Sequence, residues 1–249
     1  MNFSDFTAFV REVFNDDKGF IILHDPRFIG NERKYLLDAM DSNFVSSVGE
    51  YVGKFEQAIC EYTGSKYAIA AVNGTSALHI CLLLAGVKAD EEVITQPVSF
   101  IATCNAISYT GAKPVFVDVD RRTMGMSAEK LEDFLKENAR KGADGFTYNN
   151  KTGRRFAAVV PMHTFGHPCD LDGIVEVCER YNIALVEDSA ESIGSYYKGK
   201  HTGLFGKLSA LSFNGNKVIT TGGGGMILTQ DEELAKLAKH ITTTAKVPH

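Results

Sequence analysis

Two hydrophobic periodicities divide the chain. Up to about residue 63 the apolar positions recur at helical spacing. Phe6, Phe9, Val10 and Val13 share one face of a helix predicted over 5–14, with Ser4 as its cap. The run Asn15-Asp16-Asp17-Lys18-Gly19 stops it, and an irregular stretch through Pro26 follows. Helices are predicted over 31–42 and 52–62, with a short extended or turn segment at 44–48 between them. From Lys66 onward the pattern changes. Short apolar runs at 67–72, 92–95, 114–119, 156–161, 183–187, 208–213 and 225–229 read as strands. Helical segments at 76–85, 97–109, 127–139, 170–181 and 232–242 alternate with them, and 195–202 reads as a hairpin. Residues 141–155 are polar, with a turn signal at Asn149-Asn150-Lys151-Thr152-Gly153.

Strands alternating with helices predict an α/β fold, a three-layer α/β/α arrangement around a mostly parallel central sheet. The pattern divides the chain into a helical arm, 1–60, and a large domain, 61–249. Composition changes little in this picture. A chain of 249 residues, 44% hydrophobic with a formal net charge of -5, can bury a sizeable core and carries no basic stripe for nucleic acid. Five cysteines without framework spacing suggest reduced thiols. The amino terminus lacks the pattern of a signal peptide, and no apolar run approaches a membrane span, so a cytoplasmic setting is expected.

Parallel sheets place ligands beyond the carboxyl ends of their strands, and the chemically distinctive residues fall there. Asn73-Gly74-Thr75-Ser76 puts a glycine and two hydroxyls at a helix start, where free N–H groups and the helix dipole favour a phosphate; plain capping by Thr75 or Ser76 is the competing explanation. It is not a Walker A loop, which ends in Gly-Lys-Ser/Thr. Asp188 ends a buried strand, an expensive place for an acid without a cationic partner. Lys217 follows another strand and precedes Thr220, Thr221 and the run Gly222–Gly225, a costly backbone unless something approaches closely. The H-x3-H spacing of His163 and His167, with Cys169 nearby, suits metal ligands on a helix face, but Gly166 and Pro168 argue against a regular helix and no second cluster matches, so no metal is expected. His163 is instead expected to face a ligand from its strand end. There is no G-x-S-x-G elbow for serine chemistry, and the glycine run leads into a strand, unlike a dinucleotide fingerprint. A phosphate cradle, an acid, the aromatic Phe100 and a lysine at successive strand ends make the inventory for pyridoxal 5'-phosphate.

The chain also resembles the fold-type-I, pyridoxal-phosphate-dependent sugar aminotransferases of the DegT/StrS type. The matching pieces run from Gly30-Asn31-Glu32 and Val45-Ser46-Ser47-Val48-Gly49 through Asn73-Gly74-Thr75-Ser76-Ala77-Leu78-His79 and the segment from Gly111 to Asp120. They continue with Val186-Glu187-Asp188-Ser189-Ala190-Glu191 and Ser212-Phe213-Asn214-Gly215-Asn216-Lys217. Pro161-Met162-His163-Thr164-Phe165-Gly166-His167 and Gly222–Gly225 resemble its LegC-like branch. That resemblance implies that Lys217 carries the cofactor, Asp188 pairs with its ring nitrogen and Phe100 stacks on the ring. It implies that Gly74, Thr75 and Ser212 hold the phosphate, with Glu191, where many relatives carry Gln, near the ring hydroxyl. His163 and Asn216 are expected to line the substrate site. The implied reaction moves the amino group of L-glutamate to C4 of a 4-keto-6-deoxy nucleotide sugar, expected to be UDP-2-acetamido-2,6-dideoxy-hexos-4-ulose, for legionaminic acid or bacillosamine synthesis. A homodimer is implied, as is a smaller carboxyl-terminal domain that this chain does not contain. Two alternatives stay open: a sugar dehydratase, which carries histidine in place of the lysine, and a non-catalytic pyridoxal-phosphate-binding or regulatory protein.

Overall fold

The alternation of short apolar strands and helices becomes one seven-stranded sheet with helices on both faces. The computed structural model describes residues 3–22, 24–47 and 49–245. Val48, at the end of one expected segment, and the terminal Lys246–His249 lie outside the described residues. Three helices come first: α1 (Phe3–Phe14), α2 (Glu32–Asp41) and α3 (Glu50–Thr63). The alternating part runs β1 (Tyr67–Ala71), α4 (Gly74–Leu84), β2 (Glu92–Thr95), α5 (Ile101–Tyr109), β3 (Lys113–Phe116) and α6 (Ala128–Asn138). A hairpin follows, β4 (Ala139–Lys141) with β5 (Thr147–Asn149), and then β6 (Phe156–Val160), α7 (Leu171–Tyr181) and β7 (Ala184–Asp188). A second hairpin, β8 (Tyr196–Tyr197) with β9 (Lys200–His201), leads to β10 (Leu208–Ser212), β11 (Gly225–Thr229) and α8 (Glu232–Thr242).

The sheet order is β1-β11-β10-β7-β6-β2-β3. Every neighbouring pair is parallel except those of β11, which runs against both β1 and β10. The reversal brings Gly225, the first residue of β11, beside Ala71 and Ser212, the last residues of its two neighbours. Strand residues alternate between two cores. On one face Ile69, Val186 and Ala210 pack with Leu78 and Leu82 of α4, Ile107 of α5 and Ala238 of α8. On the other, Val159 and Leu185 meet Leu131 of α6 and Ile174 of α7, while Leu211 and Met226 meet Ile59 of α3. Helix ends follow local chemistry. The side chains of Asn73, Ser127 and Asp231 cap α4, α6 and α8, and Gly64 closes α3 in the left-handed conformation at φ 79°.

Several boundaries differ from the sequence pattern. The helix expected from Pro97 begins at Ile101, because Phe100 is its N-cap with extended backbone, φ -82° and ψ 143°. The polar stretch after α6 forms a hairpin that aligns Ala139 with Asn149. The division at residue 60 falls inside α3, whose Phe55 and Ile59 pack on the sheet, so only α1 and α2, which bury no residue, stand apart from it.

Candidate active site

Five strand ends converge on one cleft. It is lined by Asn73, Gly74 and Thr75 after β1, Phe100 after β2 and Met162 after β6. Asp188 and Ala190 come from the end of β7, and Ser212, Asn214, Asn216 and Lys217 from the end of β10.

At the start of α4, Asn73 Oδ1 accepts the Ser76 N–H at 2.8 Å. The preceding N–H groups belong to the first turn, where an α-helix offers no intrahelical acceptor. Ser212 comes up against this turn so closely that a Cβ on Gly74 would sit 2.7 Å from Ser212 Cβ. A Cβ on Gly225 would lie 2.4 Å from the Asn73 carbonyl oxygen and 2.8 Å from Gly74 N. Gly225 therefore has a packing reason: β11 passes directly beneath the helix start. Gly74, Thr75 and Ser212 form a small cradle of N–H and hydroxyl groups at the positive end of the α4 dipole, chemistry suited to a phosphate.

Across the cleft Asp188 is 5% exposed. Its Oδ2 accepts the Thr103 hydroxyl at 2.6 Å and its Oδ1 the Ala190 N–H at 3.2 Å. Burial pushes its pKa up, and the Thr103 and Ala190 donors and the Lys217 charge offset this only in part. It is a buried carboxyl that two neutral donors leave short of a cation. Lys217 Nζ donates to Glu191 Oε1 at 3.1 Å and lies 5.7 Å from the centre of the Phe100 ring. The other Glu191 oxygen accepts the Phe165 N–H at 3.1 Å. The Phe100 ring is 59% exposed, a flat apolar wall beside the amine. Asn216 turns its Oδ1 to Asn214 Nδ2 at 3.0 Å on the cleft wall.

His163 is a correction. It was expected at the ligand, but it is fully buried and absent from the cleft wall. Cys169 N–H donates to its Nδ1 at 3.3 Å, which assigns the proton to Nε2, 3.1 Å from Glu187 Oε2. Glu187 is also fully buried and accepts three further N–H groups, from Gly203 at 2.8 Å and from Phe205 and Gly206 at 2.7 Å each. Burial works to raise the Glu187 pKa, but His163 and the Gly206 and Gly203 donors outweigh it and hold the carboxyl below its usual value. Among the described residues no group of three or more His, Cys, Asp or Glu is placed to hold a metal.

Sequence reasoning passed over Thr103, Met162 and Glu187. The first had a signal: it lies three residues beyond Phe100, one helical turn from the expected ring partner. Met162 Sδ accepts the Phe100 N–H at 3.3 Å and so fixes the loop that carries the ring. Pyridoxal 5'-phosphate fits what is present. The cradle has no room for a Cβ at Gly74, a buried acid lacks its cation, and an amine stands beside an exposed aromatic face.

Comparison with known proteins agrees. The DegT/DnrJ/EryC1/StrS aminotransferase family profile matches residues 27–247. A GDP-perosamine synthase of Caulobacter vibrioides is 43% identical over 210 residues, covering 84% of this chain and 52% of its own. The putative pyridoxal phosphate-dependent aminotransferase EpsN of Bacillus subtilis is 38% identical over 228 residues, covering 92% and 56%. Among solved structures, an aminotransferase from Psychrobacter cryohalolentis superposes with a TM-score of 0.74 at 34% identity, covering 86% of this chain and 51% of that one. The chain thus spans about half the length of the curated relatives it matches. The family match over most of its residues and the converging strand ends lead to one statement: this chain belongs to the DegT/DnrJ/EryC1/StrS aminotransferase family.

Proposed function

We propose that the protein is a pyridoxal-phosphate-dependent aminotransferase that moves the amino group of L-glutamate to the keto carbon of a 4-keto-6-deoxy nucleotide sugar. The observation that carries this reading is an under-compensated buried acid, Asp188, and a lysine, Lys217, lining one cleft with a phosphate-suited helix start. When bound, pyridoxal phosphate supplies an aldehyde for amines and a ring that accepts the electrons released when an adjacent C–H loses its proton.

The chain's residues supply the rest. Gly74, Thr75 and Ser212 bind the phosphate and set the depth of the ring. Asp188 would hold the ring nitrogen's proton in place, because a neighbouring carboxylate favours the cation. Phe100, exposed on the cleft wall, would cover one ring face and shield it from water. With the cofactor bound, Lys217 Nζ would hold and move the proton at the donor's Cα, acting first as base and then as acid. Glu191 orients Nζ between these tasks through its 3.1 Å contact. One site would serve both half-reactions, the amino group being held there after glutamate leaves as 2-oxoglutarate and before the keto sugar enters, so ping-pong kinetics are expected.

Two nucleotides are in view. The LegC-like motifs favour a UDP-linked 2-acetamido sugar, and the names of the similar relatives favour a GDP-linked one. A panel of both, with product stereochemistry determined, separates them. A sugar dehydratase is disfavoured because a lysine stands where that reaction uses histidine. We also propose a cytoplasmic homodimer. The exposed Phe3, Phe6 and Phe9 of α1 and Leu36, Leu37 and Met40 of α2 suit burial against a second copy, and light scattering reads the mass directly.

Borohydride treatment of the holoenzyme followed by peptide mapping should place the cofactor's mass on the Lys217 peptide. L-glutamate should bleach the visible absorption. Cofactor mass on a different lysine would overturn the assignment. Colour unchanged by glutamate would favour the non-catalytic binding protein.

A further inference from the structure

The turn that joins β6 to α7 holds an aromatic residue in a costly state. Phe165 has φ 51° and ψ 27°, the left-handed region that bulky side chains avoid, and it is 85% exposed. A glycine or asparagine would occupy that backbone at less cost, and a ring this exposed adds nothing to the core. The surroundings impose the conformation from several sides. Thr164 Oγ1 accepts from the buried Gln96 at 3.2 Å and donates to the Met124 carbonyl at 3.0 Å. Gly166, at φ 82°, lies where a Cβ would be 2.7 Å from the Glu191 carbonyl oxygen. The Phe165 N–H is fixed on Glu191 Oε2, while Oε1 of the same carboxylate receives Lys217 Nζ. One carboxylate therefore joins the backbone of the strained turn to the amine at the centre of the site.

Resting on the aminotransferase reading above, we propose that Phe165 is a specificity-determining residue whose ring packs against the apolar C–H face of the substrate's hexose. The sugar is the part of a nucleotide sugar that must lie beside Lys217 and the turn tied to it through Glu191, because its keto carbon has to come within reach of that amine. The nucleobase is a diphosphate further away. An exposed aromatic side chain on a hydrogen-bonded backbone offers apolar contact area with little further backbone ordering.

Phe165→Asn and Phe165→Tyr in the holoenzyme test this. Asparagine tolerates the left-handed backbone, so its Tm should equal or exceed that of the parent. Its KM for the keto sugar nucleotide should rise about tenfold, the equivalent of one modest apolar contact. Bleaching by L-glutamate and the affinity for free UDP or GDP should stay within about twofold, and Phe165→Tyr should keep a near-parental KM. An unchanged KM in Phe165→Asn overturns the proposal. Equal weakening of free nucleotide also overturns it, by assigning the ring to the base. A lower assembly mass with both half-reactions impaired overturns it too, by assigning the ring to a subunit contact. A parent holoenzyme that ignores L-glutamate brings down the aminotransferase reading itself, which is a different result from a sugar-side KM that does not move.

Discussion

Glu187 and Asp188 are neighbours on β7, and both carboxylates are withdrawn from solvent. Their side chains point to opposite faces of the sheet, as alternate strand residues must. Glu187 meets His163 and three N–H groups from the loop entering β10, and its pKa is held down. Asp188 meets one hydroxyl and one N–H, and its pKa is pushed up. Both are buried, so partners decide the difference. The acid that finds its partners inside the fold serves the fold, and the acid left short of them is available to a ligand.

The largest effect that separates the two is on stability. Glu187→Ala leaves the His163 Nε2–H and three backbone N–H groups without an acceptor in a dry site. Breaking a buried hydrogen-bonded pair in this way costs roughly 3–5 kcal/mol. Denaturant unfolding of the cofactor-free protein should show that loss. A loss below about 1 kcal/mol would mean that water replaces the carboxylate and that the clamp is dispensable.

Asp188→Asn should behave in the opposite way. The folded-state pKa of Asp188 is raised, so the fold binds more protons here than the unfolded chain does. Its contribution to stability therefore declines as pH rises from the ordinary carboxylate value, about 3.9, through the raised one. At neutral pH the cofactor-free asparagine variant should be at least as stable as the parent, with a flatter dependence on pH across that window. Cofactor affinity should fall by at least about thirtyfold, some 2 kcal/mol, because a cationic ring nitrogen loses its buried counter-charge. Thermal scans across pH with and without cofactor read both. A variant destabilised without cofactor would place Asp188 in the same structural class as Glu187.

The same contrast explains what could be read from the sequence. That Gly74, Asp188 and Lys217 share one cleft was legible because strand-end position and residue type mark them, whereas Ser212 came only with the family resemblance. The strand order was not legible: nothing local tells β11 to reverse and lie between β1 and β10. The demand for glycine at 225 was hidden for that reason, since the clashing atoms belong to Asn73 and Gly74, far away in sequence. His163 was misplaced for a related reason. A histidine at a strand end looks free until its partner is known, and that partner was the Glu187 beside the acid already singled out. Phe100 was legible as an aromatic, but the turn that delays α5 until Ile101 was not, because Pro97 can open a helix as readily as precede a loop.

Thr103 gives the finest test of the comparison, because it is the residue that makes Asp188 partly, not wholly, unsatisfied. It lies on α5 one turn beyond Phe100, so a single helix start sets both the ring wall and the donor to Asp188 Oδ2. Thr103→Val preserves shape and apolar contact and removes only the hydroxyl. That hydrogen bond lowers the Asp188 pKa, so its loss should raise the pKa further above the ordinary carboxylate range. The protein then loses affinity for a cationic ring nitrogen by about 1 kcal/mol, and the pH at which the cofactor is taken up moves upward. The direction decides the matter. If Asp188 is poised for a cation, valine weakens cofactor binding most at the acid end of the profile, where the carboxyl must first lose its proton. If the hydroxyl only props α5 against β7, the variant loses stability equally with and without cofactor, and the pH of uptake stays where it was.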